Sequence, residues 1–197
     1  MPLLVLGALL IQGATTPGYD PIRQTISELG TGIKGTALIS FYGFVVIACV
    51  WEPIAKALPT TFSLAMWIAA LLLIGLGCFG LGMVAAESWP WHVMTWRGRL
   101  HLIFAFVFVF GGIPVACFAA SRALPSGWRG LRAYSLATAL GSFALLLGTL
   151  VALGASPPNP FVASHLGLIE RGYVFGFLIW QSVVSWRLAR LTLKERS

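Results

Sequence analysis

Five long apolar runs, separated by short polar breaks, constrain this chain more than any motif in it. They are TALISFYGFVVIACVWEPIA at about 36–55, TFSLAMWIAALLLIGLGCFGLGMVA at 61–85, LHLIFAFVFVFGGIPVACFAAS at 100–121, LRAYSLATALGSFALLLGTLVALGA at 131–155 and LIERGYVFGFLIWQSVVSWRLA at 168–189. Each approaches or exceeds the roughly 20 residues a helix needs to cross about 30 Å of hydrocarbon. Lipid offers no partner for backbone N–H and C=O groups, so such runs span as helices. A membrane barrel would instead show segments of about 10 residues with alternating polarity, and none is present. Composition agrees: 58% of residues are hydrophobic and 10% charged, against roughly 25% charged in soluble domains.

The N-terminal run MPLLVLGALLIQGA, within 1–15, is apolar but short for a span. It lacks the basic n-region and the small-residue cleavage site of a signal peptide. A short helix, a re-entrant piece and a span beginning upstream of Met1 all fit. Counted as a span, it makes an all-α bundle of about six transmembrane helices in a single membrane domain, 1–197, with short loops.

Lysine and arginine set the orientation. Lys56, Arg122, Arg129, Arg132, Arg187, Arg190, Lys194 and Arg196 fall on one side of a six-helix alternation, and Arg23, Lys34, Arg97, Arg99 and Arg171 on the other. The positive-inside rule assigns the richer side, with both termini, to the cytoplasm. The net charge of +7 then reads as orientation and contact with anionic lipid. The arginines lack the aromatic interleaving and recognition element of a nucleic-acid binder.

This topology gathers the remaining polar residues on the outer face. The first loop, GYDPIRQTISELG at 18–30, supplies Tyr19, Asp20, Arg23, Ser27 and Glu28; ESWPWHVMTWRGRLH supplies Glu87, His92, Arg97, Arg99 and His101; the last loop and sixth helix supply Asn159, His165, Glu170 and Arg171. Asp20 before Pro21 suits a helix N-cap with proline at the first helical position. Ile22, Ile26 and Leu29 share one face, and Gly30 and Gly32 suit a C-terminal stop, so the loop is expected to hold a short amphipathic helix capping the bundle. Trp89, Trp91 and Trp96 fit an interfacial aromatic belt. His101, Glu170 and Arg171 open helices at the membrane boundary, where ionisable groups are costly unless paired or lining a polar cavity. Either they fix helix ends, as in an Arg171–Glu28 ion pair, or they form a site.

Several chemistries are compatible with the outer cluster. His101, Glu28 and Ser27 are the candidate catalytic residues: a histidine titrating near neutrality as general acid or base, a glutamate to orient it, and a hydroxyl nucleophile. Arg171, Glu170, Tyr19, Asp20, Arg23 and His165 are the candidate binding residues, Arg171 for an anionic headgroup. A zinc shell from His92, His101 and His165 with Glu28 or Glu170 has no metal-ligand spacing behind it, so no metal is assigned and any cofactor stays open. Gly75, Gly77, Gly80, Gly82, Gly141, Gly148 and the Gly172–Gly176 pair offer close-approach helix surfaces, without specifying a homo-oligomer. Cys49, Cys78 and Cys117, odd in number and inside spans, argue against disulfides. Three function classes remain: binding of a membrane lipid, lipid-like or small-molecule ligand in an accessory role; a membrane-embedded hydrolase or transferase acting on a lipid headgroup; and a small transporter, for which the spans offer few polar groups beyond Thr138, Ser142 and Gln181.

Taken in order, GYDPIRQTISELG after the first span, RLH opening the fourth helix and GLIERG opening the sixth resemble the prokaryotic integral-membrane family catalogued as domain of unknown function 998. The resemblance maps Ser27, Glu28, Leu29 and Gly30, then His101, then Glu170, Arg171 and Gly172 onto the family's motifs. It implies about six spans in a prokaryotic inner (plasma) membrane and names no reaction. The ISELG stretch is also similar to one in a eukaryotic group of six-helix membrane proteins linked to lipid remodelling and autophagy.

Overall fold

The computed structural model describes residues 2–29, 61–83 and 95–194. The expected span at 36–55 lies outside the described residues, as do Gly30, Lys34, Glu87 and His92. Among the described residues all regular structure is helical. The elements are α1 (Pro2–Thr15), α2 (Ile26–Leu29), α3 (Phe62–Met83), α4 (Trp96–Ala123), α5 (Arg129–Gly154), α6 (Pro160–Ser164) and α7 (Leu166–Lys194). Three of them contain stretches long and apolar enough to cross a membrane: Ser63–Leu81 in α3, Trp96–Ala123 and Arg129–Gly154. At 1.5 Å per residue, the 29-residue α7 is about 43 Å long, with charged groups near both ends.

The bundle packs around buried Trp67 and Ile74 of α3, Ile113 and Ala116 of α4, and Phe177, Trp180 and Val184 of α7. The Trp67 and Trp180 rings lie 6.2 Å apart and Phe177 stacks on Trp180 at 5.5 Å. The Trp180 indole N–H donates to Ser135 Oγ at 2.9 Å, tying α7 to α5 through a buried polar pair. The glycine face of α3 is used for close approach. A Cβ on Gly77 would come within 2.7 Å of Phe108 Cβ and one on Gly80 within 2.5 Å of the Phe104 ring, so these glycines let α4 sit directly on α3. Gly141, Gly148, Gly172 and Gly176, expected to do the same, are exposed, and a Cβ on any of them would meet no atom within 4 Å.

α4 is not uniform. Ile103–Phe110 is π-helical, and the Gly111 N–H reaches back five residues to the Phe106 carbonyl. One turn further on, Pro114 has no N–H to return to the Phe110 carbonyl. The Tyr173 hydroxyl of α7 donates to that carbonyl instead, at 2.6 Å. The widened stretch therefore faces α7 and forms a wall of the site described below. At the opposite end of α4, Arg132 Nε donates to the Ser121 carbonyl at 2.8 Å.

Candidate functional site

The loop after α1 folds into two short pieces where one helix was expected. Asp20 does cap a turn: its Oδ1 accepts the Ile22 N–H at 2.9 Å and its carbonyl accepts the Gln24 N–H at 2.8 Å. The turn stops at Gln24, and α2 begins afresh at Ile26. Thr25 is its N-cap. Thr25 Oγ1 accepts the Glu28 N–H at 3.1 Å while Glu28 Oε2 accepts the Thr25 N–H at 2.6 Å, a reciprocal capping box. The T-x-x-E signal, Thr25 to Glu28, was in the sequence; Asp20–Pro21 drew the expected start five residues too early.

The break has a tertiary cause. Arg171 Nη1 lies 2.7 Å from the Pro21 carbonyl, 2.9 Å from that of Gln24 and 2.9 Å from that of Gly167. Its Nη2 donates to the Tyr19 hydroxyl. That hydroxyl in turn has the Thr25 carbonyl at 2.7 Å and the Gln24 carbonyl at 3.1 Å. Carbonyls that would have continued the Pro21 turn as a helix are thus held by α7 and by Tyr19. The Leu168 N–H, in the first turn of α7, goes to the Ile22 carbonyl at 3.0 Å. Gly167 makes this docking possible, because a Cβ there would overlap the Gln24 carbonyl group and stand 2.8 Å from the Pro21 oxygen. Burial pushes the Tyr19 phenol above its ordinary range, and the Arg171 hydrogen bond opposes that shift.

Glu170, the neighbour of Arg171, binds the next piece of the same loop. Its Oε2 accepts the Ile26 N–H at 2.6 Å and its Oε1 lies 3.5 Å from Ser27 Oγ. Arg171 thus holds carbonyls on one side of Thr25 and Glu170 holds the first N–H of α2 on the other. No Arg171–Glu28 ion pair occurs; Glu28 serves the capping box and Arg171 the loop backbone.

Behind this clamp lies a cavity of about 120 Å³. Thr25, Ser27, Glu28 and Glu170, linked by hydrogen bonds, supply polar lining, and His101 and Arg23 also line it. His101 is 5% exposed. Leu102, Phe106 and Phe110 of α4, Leu146 of α5 and Ile169 of α7 form the apolar walls, joined by Thr149 and Tyr173. So Ser27, Glu28, His101, Glu170 and Arg23 line one space, and Tyr19, Asp20, His165 and Arg171 do not. Asp20 pairs with Arg23 at 3.8 Å on the surface, an arrangement worth about 0–1 kcal/mol. His165 ends α6: its ring stacks on Phe161 at 4.3 Å, with Nδ1 2.9 Å from the Phe161 carbonyl. Among the described residues no group of three His, Cys, Asp or Glu side chains gathers to hold a metal.

Thr25, Thr149 and Tyr173 were not singled out in the sequence. Thr25 carried the capping-box signal; Thr149 and Tyr173 sit inside apolar runs, where nothing local separates a cavity-lining hydroxyl from a packed one.

No curated protein and no solved structure matched the chain. A family model described as "Protein of unknown function (DUF998)" matches residues 1–187. The match spans all three motifs, whose Glu28, His101 and Glu170 line the same cavity. The chain belongs to the DUF998 family.

Proposed function

We propose that this multi-pass membrane protein binds an amphipathic ligand, a lipid or lipid-like small molecule, in the cavity between the α2 loop, α4, α5 and α7. The observation that carries this reading is the mixed lining of the cavity, with the polar groups of Glu28, His101 and Glu170 beside the apolar side chains of Phe106, Phe110 and Leu146. Binding pockets commonly combine apolar walls with a few placed polar groups. Arg171, expected at the ligand, becomes a positioning residue, since its guanidinium holds the loop that carries Ser27 and Glu28. The proposed setting is six spans in a prokaryotic inner membrane, both termini cytoplasmic and the cavity toward the outer face. Reporter fusions at Ser126 and Ser197 should both read cytoplasmic, and an external signal from either would overturn this orientation.

A second reading, a hydrolase or transferase acting on a lipid headgroup, is supported by Ser27 Oγ at 3.5 Å from Glu170 Oε1 with His101 lining the same space. Mass spectrometry of lipid retained by the purified protein tests both, comparing wild type with His101→Ala. A retained amphiphile lost in the variant supports binding, conversion of it by wild type alone supports the enzyme, and an unchanged lipid profile sinks both.

A further inference from the structure

Two hydroxyls in the cavity wall have their protons committed elsewhere. The Tyr173 hydroxyl of α7 donates to the Phe110 carbonyl at 2.6 Å, and Thr149 Oγ1 of α5 donates to the Leu145 carbonyl at 2.8 Å. A hydroxyl has one proton and two lone pairs, so both oxygens are left as acceptors, whatever the ionisation of the carboxyl groups nearby. Both side chains line the cavity and are buried, at 5% and 8% exposure, among apolar neighbours such as Phe106, Leu146 and Ile169. A charged group brought against such a wall loses its hydration and finds no counter-charge in Tyr173 or Thr149. An ionised phosphate oxygen has no proton to give them, and a quaternary ammonium has no N–H. An alcohol carries one O–H donor and no charge.

We infer that the cavity takes a neutral amphiphile headed by a hydroxyl group, which enters between α4 and α5 and donates its O–H to the Thr149 or Tyr173 oxygen. The inference rests on the cavity being an amphiphile site at all, and it names the headgroup. The packing of the helices supplies the way in. α5 packs closely along Gly111–Ala123 of α4 but not along Ile103–Phe110, so among the described residues the two helices part toward the end that holds the cavity. Phe106 and Leu146 line the cavity from either side of this gap and stay partly exposed. Their neighbours Val107 and Leu147 are exposed. A cavity of about 120 Å³ accommodates the head and the first carbons of a chain, and the rest lies along that exposed apolar surface.

The test uses the full chain purified in dodecyldimethylamine oxide, a detergent with no hydroxyl to compete. Four probes share one chain and differ in the head: dodecan-1-ol, its methyl ether, dodecylamine and dodecyl phosphate. Each is titrated by its mole fraction in the micelle, and the rise in melting temperature gives an apparent Kd. Dodecanol is expected to bind about fivefold or more tighter than the ether, the worth of one hydrogen bond, and tighter than the amine and the phosphate. Thr149→Val keeps the shape of the side chain without its oxygen, and Tyr173→Phe does the same on α7. In the double variant the alcohol-to-ether ratio should fall below about twofold; a merely structural role would weaken both probes and leave the ratio intact. Should the double variant fail to fold, the wild-type ratio decides alone. Leu146→Trp, which fills the gap between the helices, should weaken every probe. If the ether matches the alcohol in wild type while Leu146→Trp still weakens both, the hydroxyl inference falls and the amphiphile site stands. If the amine or the phosphate binds tighter than the alcohol, or the double variant keeps the full ratio, the inference falls as well. If Leu146→Trp changes nothing, the cavity reading itself fails.

Discussion

The carboxylate of Glu170 accepts the backbone N–H of Ile26 at 2.6 Å, across 144 positions of sequence. That one bond joins the ERG motif to the SELG motif and turns Ser27 and Glu28 toward the cavity that His101 also lines. Most of what can be tested about the site follows from how firmly this loop is held on α7.

Arg171→Ala should loosen the loop before it affects anything else. Hydrogen bonds to a charged donor contribute about 1.5–3 kcal/mol each, and here one side chain serves the Pro21, Gln24 and Gly167 carbonyls and the Tyr19 hydroxyl. A loss of roughly 3 kcal/mol is expected, visible as a lower melting temperature in detergent. Arg171→Lys keeps the charge but loses the fork, so it should fall between. Unchanged stability in Arg171→Ala, with only ligand binding lost, would return Arg171 to a direct role at the ligand.

Two glycines of α7 should respond oppositely to alanine. Gly167→Ala drives a Cβ into the backbone of Gln24, and overpacking of this kind costs about 1–3 kcal/mol. Gly172→Ala meets open space and relieves the helix of a glycine, a gain of about 0.5–1 kcal/mol. Thermal melts of the two variants, run side by side, check the docking geometry directly; equal effects would contradict it.

Glu28 combines a backbone cap with a charge at the cavity, and substitution separates the two. Glutamine also completes a capping box, so Glu28→Gln should leave stability close to wild type while removing the charge. Thr25→Ala removes the cap itself and should cost about 1 kcal/mol, with Thr25→Ser restoring most of it. A Glu28→Gln protein as unstable as Thr25→Ala would show that the charge, rather than the box at 2.6 Å and 3.1 Å, holds the turn.

Tyr19 makes the loop sensitive to alkali. Its phenol is raised above the ordinary value, chiefly by burial, so the folded state holds the proton more firmly than the unfolded one. The stabilisation is therefore complete below the ordinary tyrosine pKa of about 10 and is lost as pH climbs above it. Wild type should lose melting temperature above pH about 10 more steeply than Tyr19→Phe. Parallel alkaline profiles for the two proteins would exclude Tyr19 as the sensitive group.

Much of the architecture was legible before any coordinates, because helix formation in lipid depends on run length and on local hydrogen bonding. The runs at 61–85, 100–121, 131–155 and 168–189 correspond to α3, α4, α5 and α7 within a few residues, and three of those helices meet the length and apolarity of a crossing. Four of the polar lining residues were nameable too, since Ser27, Glu28, His101 and Glu170 are ionisable or hydroxyl groups at the borders of apolar runs; Thr25 was not. Their directions were not. Glu170 and Arg171 are adjacent and looked equivalent; only the tertiary structure sent the carboxylate to the cavity and the guanidinium to the Pro21 and Gln24 carbonyls. The loop helix broke after Gln24 for the same reason. A local pattern can propose where a helix starts, but whether its carbonyls stay in the helix depends on which donors arrive from elsewhere in the chain, and Arg171 arrives from 147 residues away.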